Sequence, residues 1–270
     1  MGVIKVRIAT THIDKHNQRL AKSALVGIIE QIRNSSIPYL VNHDPRIPPQ
    51  GRYIKADLIL LDDGEYAVDC IVETFDEKSY LLKDNDKKEM PLRKYDKGYL
   101  KIIIDESFKD EISNQYIKDL NEILQNSSIE NEIKKSLDPI SILKIGGEFA
   151  IGAIAAGFLK EIGVDAYKSL KSKLIEIYNS PQKKRQEKLF IFDTTISNND
   201  KRINVEVIIT NPTVDDIQLF FDEGIKQLDQ ILPRHFEEEH GLSRIVFEYK
   251  ANFLKIKFAV LKNGLPININ

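Results

Sequence analysis

Residues 140–164, ISILKIGGEFAIGAIAAGFLKEIGV, are poorer in charge and richer in small residues than any other part of the chain. Their reading decides the architecture. Asp138 followed by Pro139 is a good helix start, an N-cap side chain and then a residue whose missing N–H is no loss at the first helical position. From 146 to 159 only Glu148 is ionised, and Gly146, Ala150, Ala153 and Gly157 follow at steps of four, three and four. That spacing predicts one helix face of small residues, which lets a second helix approach closely. Two readings follow: a self-associating core or oligomer helix, or one that enters a membrane. Lys144, Glu148 and Lys160 weigh against a plain span.

Around this stretch the chain has 270 residues, 42% hydrophobic and 30% charged, as globular proteins do. The expected fold class is α+β: a β-rich domain over 1–108, a helical region over 109–180 with the long central Gly/Ala-rich helix, and a small β-β-α-β-β domain over 181–270. A net charge of −2 advertises no global affinity for nucleic acid. The single cysteine, Cys70, excludes an intramolecular disulfide and a cysteine zinc site. The opening MGVIKVRIATTH alternates charged and apolar residues, unlike a signal peptide, so the expected location is cytoplasmic, with association to the inner membrane from inside.

Within the first domain, alternation over 4–8 predicts a strand, and apolar residues from Leu20 to Ile32 at helical spacing predict a helix. Asp62-Asp63-Gly64 between two apolar runs is a hairpin signal. Past Gly163, Ala166, Leu170, Leu174 and Ile177 form the stripe of an ordinary amphipathic helix, with Gly163 as its break. Beyond it, Lys183, Lys184, Arg185 and Lys188 form a basic cluster, either a solvated linker or a holder of phosphate groups. Thr213 with Asp216 three residues on predicts a capped helix between two pairs of strands.

His12 and His16, four apart with Asp14 between them, lack a third ligand, and no metal or other cofactor is expected. His43 carries more information. The opening strand ending in Ile8-Ala9-Thr10-Thr11, then Asp14, a helix, Asn42-His43-Asp44 and Pro48-Pro49-Gln50-Gly51-Arg52 resemble the N-terminal half of phage prohead serine proteases over residues 3–75. The resemblance implies a general base at His43 and a serine nucleophile downstream. That family's serine stands between apolar residues on a strand, and neither Ser107 in IIIDESF nor Ser141 in DPISIL does so.

A second resemblance rests on the Gly/Ala-rich segment passing into DAYKSLKSKL. It is similar to nucleotide-controlled membrane effectors of bacterial antiphage defence, of the Hailong-effector type. Together these readings give the leading expectation, a non-enzymatic homo-oligomeric effector of antiviral defence that forms a pore in the inner membrane. A nucleotide, oligonucleotide or partner would hold it inactive. The alternatives are a serine peptidase using His43 and a soluble oligomeric scaffold.

Overall fold

The computed structural model describes residues 2–14, 17, 19–41, 44–76, 88–93, 95, 100–104, 122, 127–130, 140–179, 187–198, 201–237 and 241–269. Its chain divides into two compact units. The first holds Met1–Pro91 with Gly241–Ser243 and Ala259–Ile269, and the second holds Leu92–His240 with Arg244–Phe258 and Asn270.

In the first unit, strands β1 (Gly2–Thr10), β2 (Pro38–Tyr39), β3 (Gly51–Leu60) and β4 (Tyr66–Thr74) form an antiparallel sheet of order β1-β4-β3-β2. Helix α1 (Lys22–Asn34) lies on one face of it, Leu25, Ile29 and Ile32 meeting Ala56, Val68 and Cys70. Full burial of each aliphatic side chain stabilises by about 1.5–3 kcal/mol, so the stripe holds helix and sheet together. The hairpin falls at Asp62-Asp63-Gly64, where Gly64 takes φ +84°, open to glycine without strain. Cys70 is buried core, and burial pushes its thiol up to about 11, which makes it an inert packing residue.

The remaining strands are β5 (Leu100–Ile104), β6 (Ser127–Glu130), β7 (Ile140–Ala150), β8 (Glu187–Asn198), β9 (Lys201–Thr210), β10 (Leu242–Lys250), β11 (Phe253–Leu261) and β12 (Pro266–Ile267). Their order is β12-β11-β10-β9-β8-β7-β5-β6. Strands β7 and β8 are parallel, as are β9 and β10, while β8 and β9 are antiparallel. Parallel neighbours need crossovers. Strands β5 and β6 are parallel too; among the described residues the first crossover, between β7 and β8, is α2 (Ile154–Ile162) and α3 (Val164–Asn179), and the second, between β9 and β10, is α4 (Val214–Leu219), a π turn (Phe220–Gly224) and α5 (Ile225–Glu237).

Both crossovers pack on one face of the sheet, where Phe158 of α2 meets Phe149 and Phe192, and Phe220 meets Phe190, Phe192 and Tyr249. At the π turn the Ile225 N–H reaches back to the Phe220 carbonyl, and the neighbouring Phe221 carbonyl accepts from Tyr167 Oη at 2.7 Å. Burial pushes the Tyr167 phenol up, so it stays a neutral donor. The expected capping box is present: Thr213 Oγ1 accepts from Asp216 N–H, and Asp216 accepts from Thr213 N–H.

Helix α2 is capped from a distance. Asp229 of α5 accepts the Ile154 N–H at 2.7 Å and the Ala155 N–H at 3.0 Å, one carboxylate satisfying two donors at the positive end of the helix. Asp229→Ala is expected to lower stability by about 1–2 kcal/mol, read from the midpoint of urea unfolding. An unchanged midpoint would mean that water caps α2 as well as Asp229 does.

The long central helix is overturned. Residues 140–150 are strand β7, and helix begins only at Ile154, with Asp138 and Pro139 outside the described residues. The reason is local. Gly146-Gly147 weakens a helix by about 1 kcal/mol per glycine, whereas Ile140, Ile142 and Ile145 suit a strand. Helices α2 and α3 part at Gly163, which takes φ +81° as the α2 C-cap. The transmembrane-helix and pore-forming expectations fall with the helix. Among the described residues no helix is long and apolar enough to cross a membrane, and the nine residues of α2 reach only about 14 Å at 1.5 Å each, against a hydrocarbon core of about 30 Å.

Candidate functional site

Among the described residues, the small-residue positions singled out in the sequence do not converge. Gly146 and Ala150 lie in β7, Ala153 is the α2 N-cap and Gly157 is inside α2, so they share no helix face. A Cβ on Gly146 would meet the Asp193 carbonyl of β8, and one on Gly157 would meet the Phe149 ring; these glycines admit a neighbouring strand and a ring, not a second helix. Lys188 is the second residue of β8, with its Nζ 6.0 Å from the Tyr178 ring centroid. His43, His16, Lys183, Lys184 and Arg185 lie outside the described residues.

Two polar constellations are formed instead, one in each unit. Within the second unit, strands β7 to β10 carry Phe149, Phe190, Phe192 and Tyr249 on the face under the crossovers and an ionic layer on the other. Asp193 of β8 stands directly opposite Glu206 of β9, with Lys144 of β7 and Arg244 of β10 on the flanking strands, all four buried. Arg244 binds Glu206, Arg93 binds both Asp193 and Glu206, and Lys144 lies 4.0 Å from Asp193. The Thr195 hydroxyl adds contacts of 2.9 Å to the Arg93 carbonyl and 3.1 Å to Asn204 Oδ1. Burial alone would push the Glu206 carboxyl up. Arg244, Arg93 and Lys144 outweigh it and hold Glu206 well below the usual carboxylate range. A visible signal existed, because Lys144, Asp193, Glu206 and Arg244 each interrupt an apolar run.

In the first unit a cleft of about 450 Å³ opens beside the end of β1, lined by Thr11, Arg19, Leu20, Ala21, Lys22, Gly64, Glu65 and Tyr66. Thr11 is fixed by backbone geometry, its N–H donating to the Tyr66 carbonyl at 2.8 Å while its Oγ1 accepts the Tyr66 N–H at 2.8 Å. The Glu65 carboxylate accepts from Thr11 Oγ1 and from Arg19, and these donors, Thr11 first, hold it below the ordinary carboxylate range. Arg19 Nε also donates to the Thr11 carbonyl at 2.9 Å.

Lys22 Nζ sits 3.9 Å from the Tyr66 ring centroid. Behind it, α1 starts at Ala21 with no side-chain cap and no acidic residue in its first turn. Next to the cleft, His12 Nε2 lies 2.6 Å from Asp63 Oδ2, and that contact, first among its causes, holds the Asp63 carboxyl below its ordinary value. The lining thus pairs two cations with one carboxylate around an aromatic wall, an arrangement suited to a small anion. Sequence reasoning missed it, since Arg19 and Lys22 meet Glu65 and Tyr66 only through the fold. Among the described residues no group of three or more His, Cys, Asp or Glu could hold a metal.

Compared with protein-family models, curated proteins and solved structures, the chain has no significant match in any of the three.

Proposed function

We propose that the protein is a small-anion-binding regulator, whose first unit takes a phosphorylated or carboxylated ligand in the cleft between the start of α1 and the Asp62–Gly64 hairpin. The observation that carries this reading is the cleft itself, two cations to one carboxylate beside the Tyr66 ring. Its volume of about 450 Å³ falls within the range for small-molecule sites, about 300–1,000 Å³, and suits a mononucleotide rather than an oligonucleotide. The ligand's anionic group would draw Lys22 off the Tyr66 ring, leaving the ring face for a flat base. Arg19, already held by Glu65 and the Thr11 carbonyl, would meet the ligand without losing further side-chain freedom. This keeps the ligand-controlled part of the defence-effector expectation and has no membrane step.

The test is isothermal titration with adenosine monophosphate, and separately with adenosine and inorganic phosphate as its parts. Lys22→Met is expected to weaken the nucleotide at least tenfold, about 1.4 kcal/mol, because it removes a charge-assisted hydrogen bond but no structural ion pair. Adenosine binding as tightly as its monophosphate, or Lys22→Met binding like wild type, would overturn the assignment.

A further inference from the structure

The second feature of the first unit is an edge. Strand β1 is outermost in its sheet, and among the described strands it pairs only with β4, so alternate backbone N–H and C=O groups along its other side point outward. Natural edges are blunted by brevity, proline, bulges or charged side chains, and of these β1 relies on the charges of Lys5 and Arg7, which repel a like-charged strand and leave the edge open to an acidic one. Strand β1 has nine residues and no proline, and its register is regular from Gly2 to Arg7, the shift coming only between Arg7 and Ala9. The strand is also accessible, with Val3 65% and Ile4 40% exposed.

Its side chains define what would pair with it. Val3, Lys5 and Arg7 lie on one face, and Ile4, Val6 and Ile8 on the face that carries α1, where Val6 and Ile8 pack at the margin of the core. On the charged face a single acid of β4, Asp69, serves both cations: Arg7 Nε donates to it at 2.7 Å and Lys5 Nζ lies 3.3 Å away. Glu73, opposite Val3 on the same face, is taken up by Arg52 at 2.9 Å, so Lys5 and Arg7 share the one charge of Asp69 and the open flank of β1 is cationic. A second copy is the wrong occupant. Two β1 strands pairing antiparallel over their full length, about Val6 and with both core faces on one side, would set Lys5 opposite Arg7 twice, which is destabilising.

We propose that β1 is a docking edge for an extended segment of another protein in which acidic and apolar residues alternate. The segment adds a fifth strand, its acids beside Lys5 and Arg7 and its apolar side chains continuing the face of Ile4 and Val6. Backbone hydrogen bonds supply affinity and the alternation supplies specificity.

The probe is a fluorescein-labelled octapeptide of alternating Val and Glu, read by fluorescence polarisation. Its controls are the Val–Lys octapeptide and a Val–Glu octapeptide N-methylated on alternate residues, which cannot complete the ladder. The Val–Glu peptide is expected to bind at least tenfold tighter than either control, and the Lys5→Glu/Arg7→Glu variant to reverse the preference between Glu and Lys peptides. Lys22→Met should bind the peptide like wild type, which separates this edge from the cleft. Peptides that bind equally, or a Val–Glu peptide that does not bind, would overturn the proposal. So would sedimentation showing a wild-type dimer that Lys5→Glu/Arg7→Glu dissociates, since the edge would then belong to a second copy.

Discussion

Gly146→Val is expected to destabilise the second unit by about 3 kcal/mol or more, the upper part of the range for overpacked cores. A Cβ at Gly146 would run into the Asp193 carbonyl oxygen and lie 2.6 Å from Tyr95 Oη. The first neighbour is backbone of the adjacent parallel strand, so it can retreat only by opening the β7–β8 ladder. Gly157 makes the useful contrast, for its Cβ would meet the Phe149 ring at 2.9 Å and a ring can rotate. In thermal unfolding, Gly146→Val should lower Tm by about 6–12 °C, at about 2–4 °C per kcal/mol for chains of this order. A midpoint within 2 °C or so of wild type would mean that β7 does not lie against β8 as described.

Glu206→Gln should cost about as much at neutral pH, roughly 3–5 kcal/mol, the usual result of removing one partner from a buried ion pair. It would leave Arg244, Arg93 and Lys144 around the single carboxylate of Asp193. The pH dependence has a definite sign. Because the folded Glu206 carboxyl is held below its ordinary value, the unfolded chain takes up its proton first, so the stabilisation is complete above the unfolded pKa of about 4.3. It is lost as pH falls through the folded value. Urea unfolding of wild type and Glu206→Gln at pH 7 and at pH 3 should therefore show a wide gap that narrows in acid. A gap that widened in acid would place Glu206 outside the ion network.

Much of the fold was legible because local chemistry announces it. Asp62-Asp63-Gly64 demands a turn, Thr213 and Asp216 form the expected box, and Gly163 breaks a helix where its backbone turns left-handed. Strands β8 and β9 carry enough β-branched and aromatic residues to be read without their neighbours. The failure over 140–150 has a physical cause. Strand β7 lies between β8, to which it is parallel, and β5, to which it is antiparallel, and with Gly146-Gly147 in its middle and only Lys144 and Glu148 charged its period of two fades, so the apolar run looks like a buried helix. The small residues at three- and four-residue steps completed the illusion.

The ionic layer was half legible, for single charges inside apolar runs were visible, but which strands bring them together depends on pairing between residues as distant as Lys144 and Arg244. The cleft was not legible at all. Arg19 meets Glu65 across 46 residues, through a hairpin and a helix start that carry no shared periodicity.

The cap on α2 also sets an order in time. Asp229 follows Ile154 by 75 residues, so at ribosomal rates of about 5–20 residues per second it is added about 4–15 s after the helix it completes. For that interval the nascent α2 has two of its first N–H groups turned to water or to a chaperone, and nine residues alone are too few to stay helical. The first crossover therefore closes from its far side, late in synthesis, when the second crossover has been made.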